Sequence, residues 1–99
     1  METGIRHMVI FTLNAGNAIA DSDFLEQSRK ILSHIPNVKD FEVVKQFSVK
    51  NSFQYGFSMA FKSDEEYASY SNHPDHTKYL TDYWFKFVKD FFEIDYKTI

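Results

Sequence analysis

The sequence predicts an α+β fold of the order βαββαβ, one antiparallel sheet with helices on one face. Three observations predict it: apolar residues alternating with a period of two in four segments, helical spacing in the regions between them, and turn residues at the joints. The chain has 99 residues, 43% hydrophobic, 25% charged and 18% aromatic. That composition is globular and sized for a single domain over residues 1–99.

Each element follows in order. Ile5–Leu13 alternates, with Ile5, His7, Val9, Phe11 and Leu13 on one face and Arg6, Met8, Ile10 and Thr12 on the other. Both faces are apolar past Arg6, as in a strand covered on both sides. Asn14–Ala20 is a small-residue loop. Asp21, Ser22 and Asp23 suit a helix start, where acidic side chains meet the positive end of the helix dipole. Phe24, Leu25, Ser28, Ile31, Leu32 and Ile35 then keep helical spacing until Pro36-Asn37 stops the helix. Phe41, Val43, Phe47 and Val49 form one face of a second strand, closed by a turn at Lys50-Asn51-Ser52. A third strand carries Phe53, Tyr55, Phe57, Met59 and Phe61, with small Gly56, Ser58 and Ala60 on its reverse, where a neighbour can pack closely.

Ser63-Asp64-Glu65-Glu66 is a capping box that starts a short helix to about Ser71. Asn72-His73-Pro74 interrupts it, and Pro74 suits the first position of a new helix. His76, Leu80, Tyr83, Trp84, Phe87 and Phe91 define the sheet-facing side of that helix. Phe92–Ile99 alternates as a last strand, with Phe92, Ile94 and Tyr96 against Glu93, Asp95 and Lys97. The whole is the ferredoxin-like split βαβ pattern, its second helical region divided at Pro74. Helices cover only one side of such a sheet, so the apolar second face of the first strand predicts a homodimer.

Composition and charge exclude several functions. The chain has no cysteine, which removes disulfides and thiolate zinc sites. Its net charge of −3 argues against a nucleic-acid surface or an anionic membrane as partner. No segment is apolar enough to span a membrane. The acidic start, with only the short apolar run after Gly4, does not suit a signal peptide, and the expected location is cytoplasmic. Phosphate loops, Ser-His-Asp sets and paired catalytic carboxylates are absent.

Several segments together resemble the stress-responsive A/B barrel (Dabb) family. They are Ile5-Arg6-His7-Met8-Val9-Ile10-Phe11, the Ile35-Pro36-Asn37-Val38 turn, Tyr70-Ser71-Asn72-His73-Pro74-Asp75-His76, and Ile94-Asp95-Tyr96. The resemblance covers nearly the whole chain. It implies a dimeric α+β barrel of two ferredoxin-like sheets closed face to face, in a family mostly of unassigned activity with some members associated with stress stability. One branch resembles a polyketide cyclase. By position, that resemblance makes His76 and Tyr70 the catalytic pair and places His7 on the pocket wall. The cyclase has a tyrosine on its first helix where this chain has Ser28, so the resemblance does not carry its substrate across. Related dimeric barrels also serve as haem-degrading or quinol-oxidising monooxygenases, but no residue pattern here favours that use.

The chemistry of these residues supports two readings. An imidazole exchanges protons near neutral pH, and a protonated phenol can polarise a carbonyl or stabilise an enolate. His76 and Tyr70 therefore suit cofactor-free proton abstraction beside a ketone, as in a lyase or cyclase. Val9, Phe11, Phe24, Tyr79 and Tyr83, with His7, form the expected wall of a pocket for a small apolar or aromatic carbonyl compound. The structural alternative has His73 capping a helix, Tyr70 packing, His76 bonding a backbone carbonyl, and the rings filling a core. The protein is then a non-catalytic, stability-associated dimer. His73 and His76 straddle the break at Pro74 with no third ligand evident, so no metal is expected. His34 suits a helix C-terminus and is read as structural.

Overall fold

The computed structural model describes residues 4–99, so the acidic start at Glu2 lies outside the described residues. The elements are β1 (Ile5–Leu13), α1 (Asp21–Ser33), β2 (Lys39–Lys45), β3 (Tyr55–Phe61), α2 (Asp64–Ser71), α3 (Pro74–Tyr79), a π-helical turn (Leu80–Trp84), α4 (Phe85–Phe87) and β4 (Val88–Tyr96). The strands form one sheet in the order β2-β3-β1-β4, every neighbouring pair antiparallel. This is the ferredoxin-like α+β architecture. No helix among the described residues is long and apolar enough to cross a membrane.

β1 is the middle of the structure because it pairs on both sides. Its odd-numbered residues from Ile5 to Leu13 are buried against the helices, while the even-numbered ones remain partly open on the reverse face. On that reverse face Met8 stands opposite Ile94 and Ile10 opposite Phe92. Phe92 and Ile94 keep 66% and 55% of their surface exposed. Gly56 sits beside them, and a Cβ there would meet Val44 Cγ2 at 3.0 Å and Val9 O at 3.1 Å. The small residues of β3 thus let the side chains of its neighbours close over it.

The helix boundaries follow local chemistry. Ser63 Oγ accepts from the Glu66 backbone N–H at 3.2 Å, while the Glu66 carboxylate turns to Lys39 Nζ at 3.4 Å instead of reaching back. His73 caps α3, its Nδ1 accepting from the Asp75 N–H at 3.1 Å. At α1 the cap position is Ala20, which offers no side-chain acceptor. Asp21 and Asp23 act within the first turn, where carboxylates meet the helix dipole.

Three sequence expectations change. β2 ends at Lys45, and Phe47 and Val49 lie beyond it with 100% and 99% of their surface exposed. The Gln46 side chain replaces ladder pairing there: its Nε2 donates to Asn51 O at 3.3 Å and to Phe53 O, and its Oε1 accepts from the Lys50 N–H at 3.1 Å. β3 correspondingly starts at Tyr55, not Phe53. The third change is at the last helix, which ends at Phe87, so Phe91 belongs to β4. Its uniform 3.6-residue spacing also breaks. The Phe85 N–H bonds to Leu80 O, five residues back. At 100° per residue, positions five apart point about 140° away from each other. The π turn brings Tyr79 and Trp84 onto the same side, and both are buried while Tyr83 is only partly so.

The core is a nest of rings around Phe11, which has no exposed surface. Its ring lies 4.8 Å from Phe57, 5.1 Å from Trp84 and 5.9 Å from Phe24, centre to centre. Those contacts tie β1 to β3, the π turn and α1 at one point. Phe11→Ala is therefore expected to destabilise the fold by about 3–5 kcal/mol, measured as a shift of the urea unfolding midpoint with unchanged slope.

Candidate active site

Between the sheet and the two-part helical region lies a cavity of about 190 Å³. The sheet supplies His7, Val9, Phe57, Met59, Phe91 and Glu93; the helical layer supplies Leu32, Tyr70, His76, Tyr79, Leu80, Trp84 and Phe85. The break at Pro74 matters here. Tyr70 ends one helix and His76 begins the next, and the reversal sets their rings 4.6 Å apart, centre to centre.

Three polar groups on the wall, His76, Tyr70 and Tyr79, have their proton affinity shifted by burial. His76 Nδ1 donates to Ser71 O at 3.1 Å, a carbonyl left open where α2 ends. Nε2 is the ring nitrogen left for a ligand. Burial pushes the His76 imidazole below its ordinary range, opposed by the Ser71 carbonyl and the Glu93 charge. Tyr70 is almost wholly buried, and that burial drives its phenol well above the usual range, so it keeps its proton at neutral pH. Tyr79 is raised in the same way, and its hydroxyl is shared with Ser28 at 2.7 Å. Ser28 is thereby committed to holding α1 against α3. Among the described residues no buried side-chain polar atom lacks a partner.

The structure thus brings Tyr70, His76, His7, Val9 and Tyr79 onto one cavity. It does not bring the other three expected residues there. Phe11 and Phe24 are core rings beneath the wall, closed off by the packing of β1 against α1. Tyr83 is turned aside by the π turn and lies with Ile31 on the outer side of the helices. His34 Nδ1 bonds Lys30 O at 2.7 Å at the end of α1.

Three polar groups at the site were missed from sequence, Glu93, Asp95 and Tyr67, as were the apolar wall residues Leu32, Phe57, Met59, Leu80, Trp84, Phe85 and Phe91. Glu93 lines the cavity, opposite Val9 in the β1–β4 ladder. Asp95 pairs with His7 Nδ1 and accepts from Tyr67 Oη at 2.8 Å. The signal for the carboxylates was present. Alternation in the last strand sets Glu93 and Asp95 opposite to Phe92, Ile94 and Tyr96, so they share the helix-facing side with His7. Only the strand order, which puts β4 beside β1, turns that into a contact.

Fold and cavity define a ferredoxin-like α+β protein with a small aromatic pocket bearing two imidazoles, two phenols and a carboxylate. The sequence matches the stress responsive A/B barrel domain, Dabb, over residues 5–98. A Dabb family protein of ferredoxin-like fold from Mesorhizobium loti is 41% identical, with 97% of each chain covered and a TM-score of 0.90. The chain belongs to the Dabb family. It is similar in fold to a dimeric protein of unknown function from Bacteroides fragilis, at 16% identity, 96% coverage of each chain and a TM-score of 0.72. It is likewise similar to a hydroxynitrile lyase from Passiflora edulis, at 13% identity, covering 97% of this chain and 94% of that one with a TM-score of 0.83. No curated protein matches the sequence.

The electrostatics of His76 are measurable. Its Cε1 proton should titrate with a midpoint below 6.5 in an NMR pH series. Because folding favours the neutral ring, this group contributes stability above pH 6.5 that is lost as pH falls towards its lower folded value. Glu93→Gln removes a negative charge that favours the imidazolium, so the midpoint should move lower still; an upward move contradicts the assignment.

Proposed function

We propose that this protein is a homodimeric A/B barrel whose cavity binds a small apolar or aromatic carbonyl compound and moves a proton on it without a cofactor. The observation that carries this reading is the convergence of His76, Tyr70 and His7 on one cavity whose wall is otherwise mostly apolar, Glu93 and Tyr79 apart. The volume suits a single ring bearing a short substituent, since a cavity of about 150 Å³ accepts benzene. A longer chain would run out past Phe85 into solvent.

Tyr70 donates a hydrogen bond to the carbonyl oxygen, and His76 Nε2 takes the proton from the adjacent carbon. The enolate forms against the phenol, and the same imidazolium returns the proton or yields it to a new bond partner. The surrounding Val9, Leu32, Met59 and Trp84 exclude water and strengthen both interactions. That a lyase from Passiflora edulis has this fold agrees with a catalytic cavity on the same scaffold. Acetophenone in D₂O provides the test. The protein should speed deuterium uptake at its methyl group above an equal concentration of imidazole, and His76→Ala should lower that rate about a hundredfold or more. Full exchange in the variant overturns the role of His76. Binding without exchange favours a non-catalytic, stability-associated dimer.

The dimer part of the proposal rests on the reverse face of the sheet, where Met8, Ile10, Val44, Phe92, Ile94 and Tyr96 form an apolar surface without cover from the chain's own helices. A fold neighbour described as dimeric supports the same assembly. Light scattering at low micromolar concentration should give twice the chain mass of 11.7 kDa. A uniform monomer overturns the assembly.

A further inference from the structure

The reaction described above leaves His7 without a task, yet His7 is the most elaborately held group on the cavity wall. It projects from the middle of the sheet and is buried. It stands directly opposite Asp95 in the β1–β4 ladder, on the same face, so their side chains meet across the strands. Nδ1 lies against Asp95 Oδ1. The other carboxylate oxygen, Oδ2, accepts from Tyr67 Oη at 2.8 Å, and that hydroxyl oxygen is 3.2 Å from Nδ1. The Tyr67 ring stacks obliquely beside the imidazole, 5.4 Å away centre to centre. The remaining titratable groups sharing the cavity wall with His7 are Glu93 from β4, and Tyr70, His76 and Tyr79 from the helical layer.

The donor and acceptor inventory fixes the protons. A carboxylate only accepts, so the proton between His7 and Asp95 belongs to Nδ1, and the phenol proton is directed at Oδ2. Nε2 is then the free acceptor of the ring. We propose that Asp95 and Tyr67 are positioning residues that hold His7 in its Nδ1-protonated form, with Nε2 presented to the cavity as a second proton acceptor beside His76. What Nε2 meets there rests on the carbonyl reading above; the proton placement does not.

The arrangement has a consequence for ligand class. Two acceptor nitrogens, one phenol donor and the Glu93 carboxylate disfavour an anion. They favour a neutral carbonyl compound that also carries a hydroxyl or an enol, which can give a proton to one imidazole while its carbonyl accepts from Tyr70.

The test needs no ligand. Two-bond ¹H–¹⁵N correlation on the ¹⁵N-labelled full chain, at about pH 8 where free imidazole is neutral, reports which ring nitrogen carries the proton. The wild type should show Nδ1–H for His7. In Asp95→Asn, Tyr67 still donates to the side-chain oxygen, so the amide NH₂ faces Nδ1 and the proton moves to Nε2. Adding Tyr67→Phe frees the amide to turn its oxygen to Nδ1, and the double variant should return to Nδ1–H. Nε2–H in the wild type, or an Asp95→Asn variant that keeps Nδ1–H, overturns the proposal. A double variant that stays Nε2–H overturns the part given to Tyr67. Failure of acetophenone exchange alone removes the carbonyl reading and leaves this result standing.

Discussion

The contact between Phe11 and Trp84 is the one on which the rest of the structure depends. It joins the central strand to the helical layer, and the two rings sit edge-on at 5.1 Å, an arrangement that aromatic quadrupoles favour. Trp84 also meets Phe57 and Phe91, so it touches three of the four strands at once: β1, β3 and β4. A 99-residue chain buries a limited apolar area, and concentrating rings at this junction is how it gains a well-packed core without disulfides. The cavity is the space this packing leaves beside the junction, lined by Trp84 and by the two histidines.

The π turn is the local device that makes the junction and the cavity compatible. An unbroken α-helix from Pro74 onward would commit one face to the sheet and bury Tyr83 with Leu80. The extra residue in the turn brings Tyr79 to the sheet on the same side as Trp84 and moves Tyr83 outward. Tyr79 then reaches Ser28 across to α1, which fixes the distance between the helices and hence the depth of the cavity. A short irregularity of backbone hydrogen bonding thus sets which side chains line the site.

The polar groups of the site are organised on a common scheme. Each imidazole spends Nδ1 on a fixed acceptor, Ser71 O for His76 and Asp95 for His7, and this decides the role of Nε2. The acceptors have different origins. One is a carbonyl freed by a helix end, and the other a carboxylate brought by strand pairing. Placing such groups at element ends and on a sheet holds them more firmly than loops would. The buried phenol of Tyr70 complements them because burial keeps its proton in place.

Much of this was legible in the sequence. Alternation in Ile5–Leu13 fixed both faces of the central strand, the Ser63 box and Pro74 fixed the helix starts, and the segment from Tyr70 to His76 marked two of the groups on the cavity. These features are local: period, capping and the fixed φ of proline act within a few residues. Phe47, Val49 and the last helix were misjudged because alternation and helical spacing persist in segments whose hydrogen bonds go elsewhere, to Gln46 in one case and across a π turn in the other. The pairing of His7 with Asp95, 88 residues apart, required the strand order. So did the distinction between Phe11, sealed in the core, and Val9, one pleat along and on the cavity. Sequence determined which side chains face the helices; only tertiary structure decided which of them face a gap, because a cavity exists where distant elements fail to fill space together.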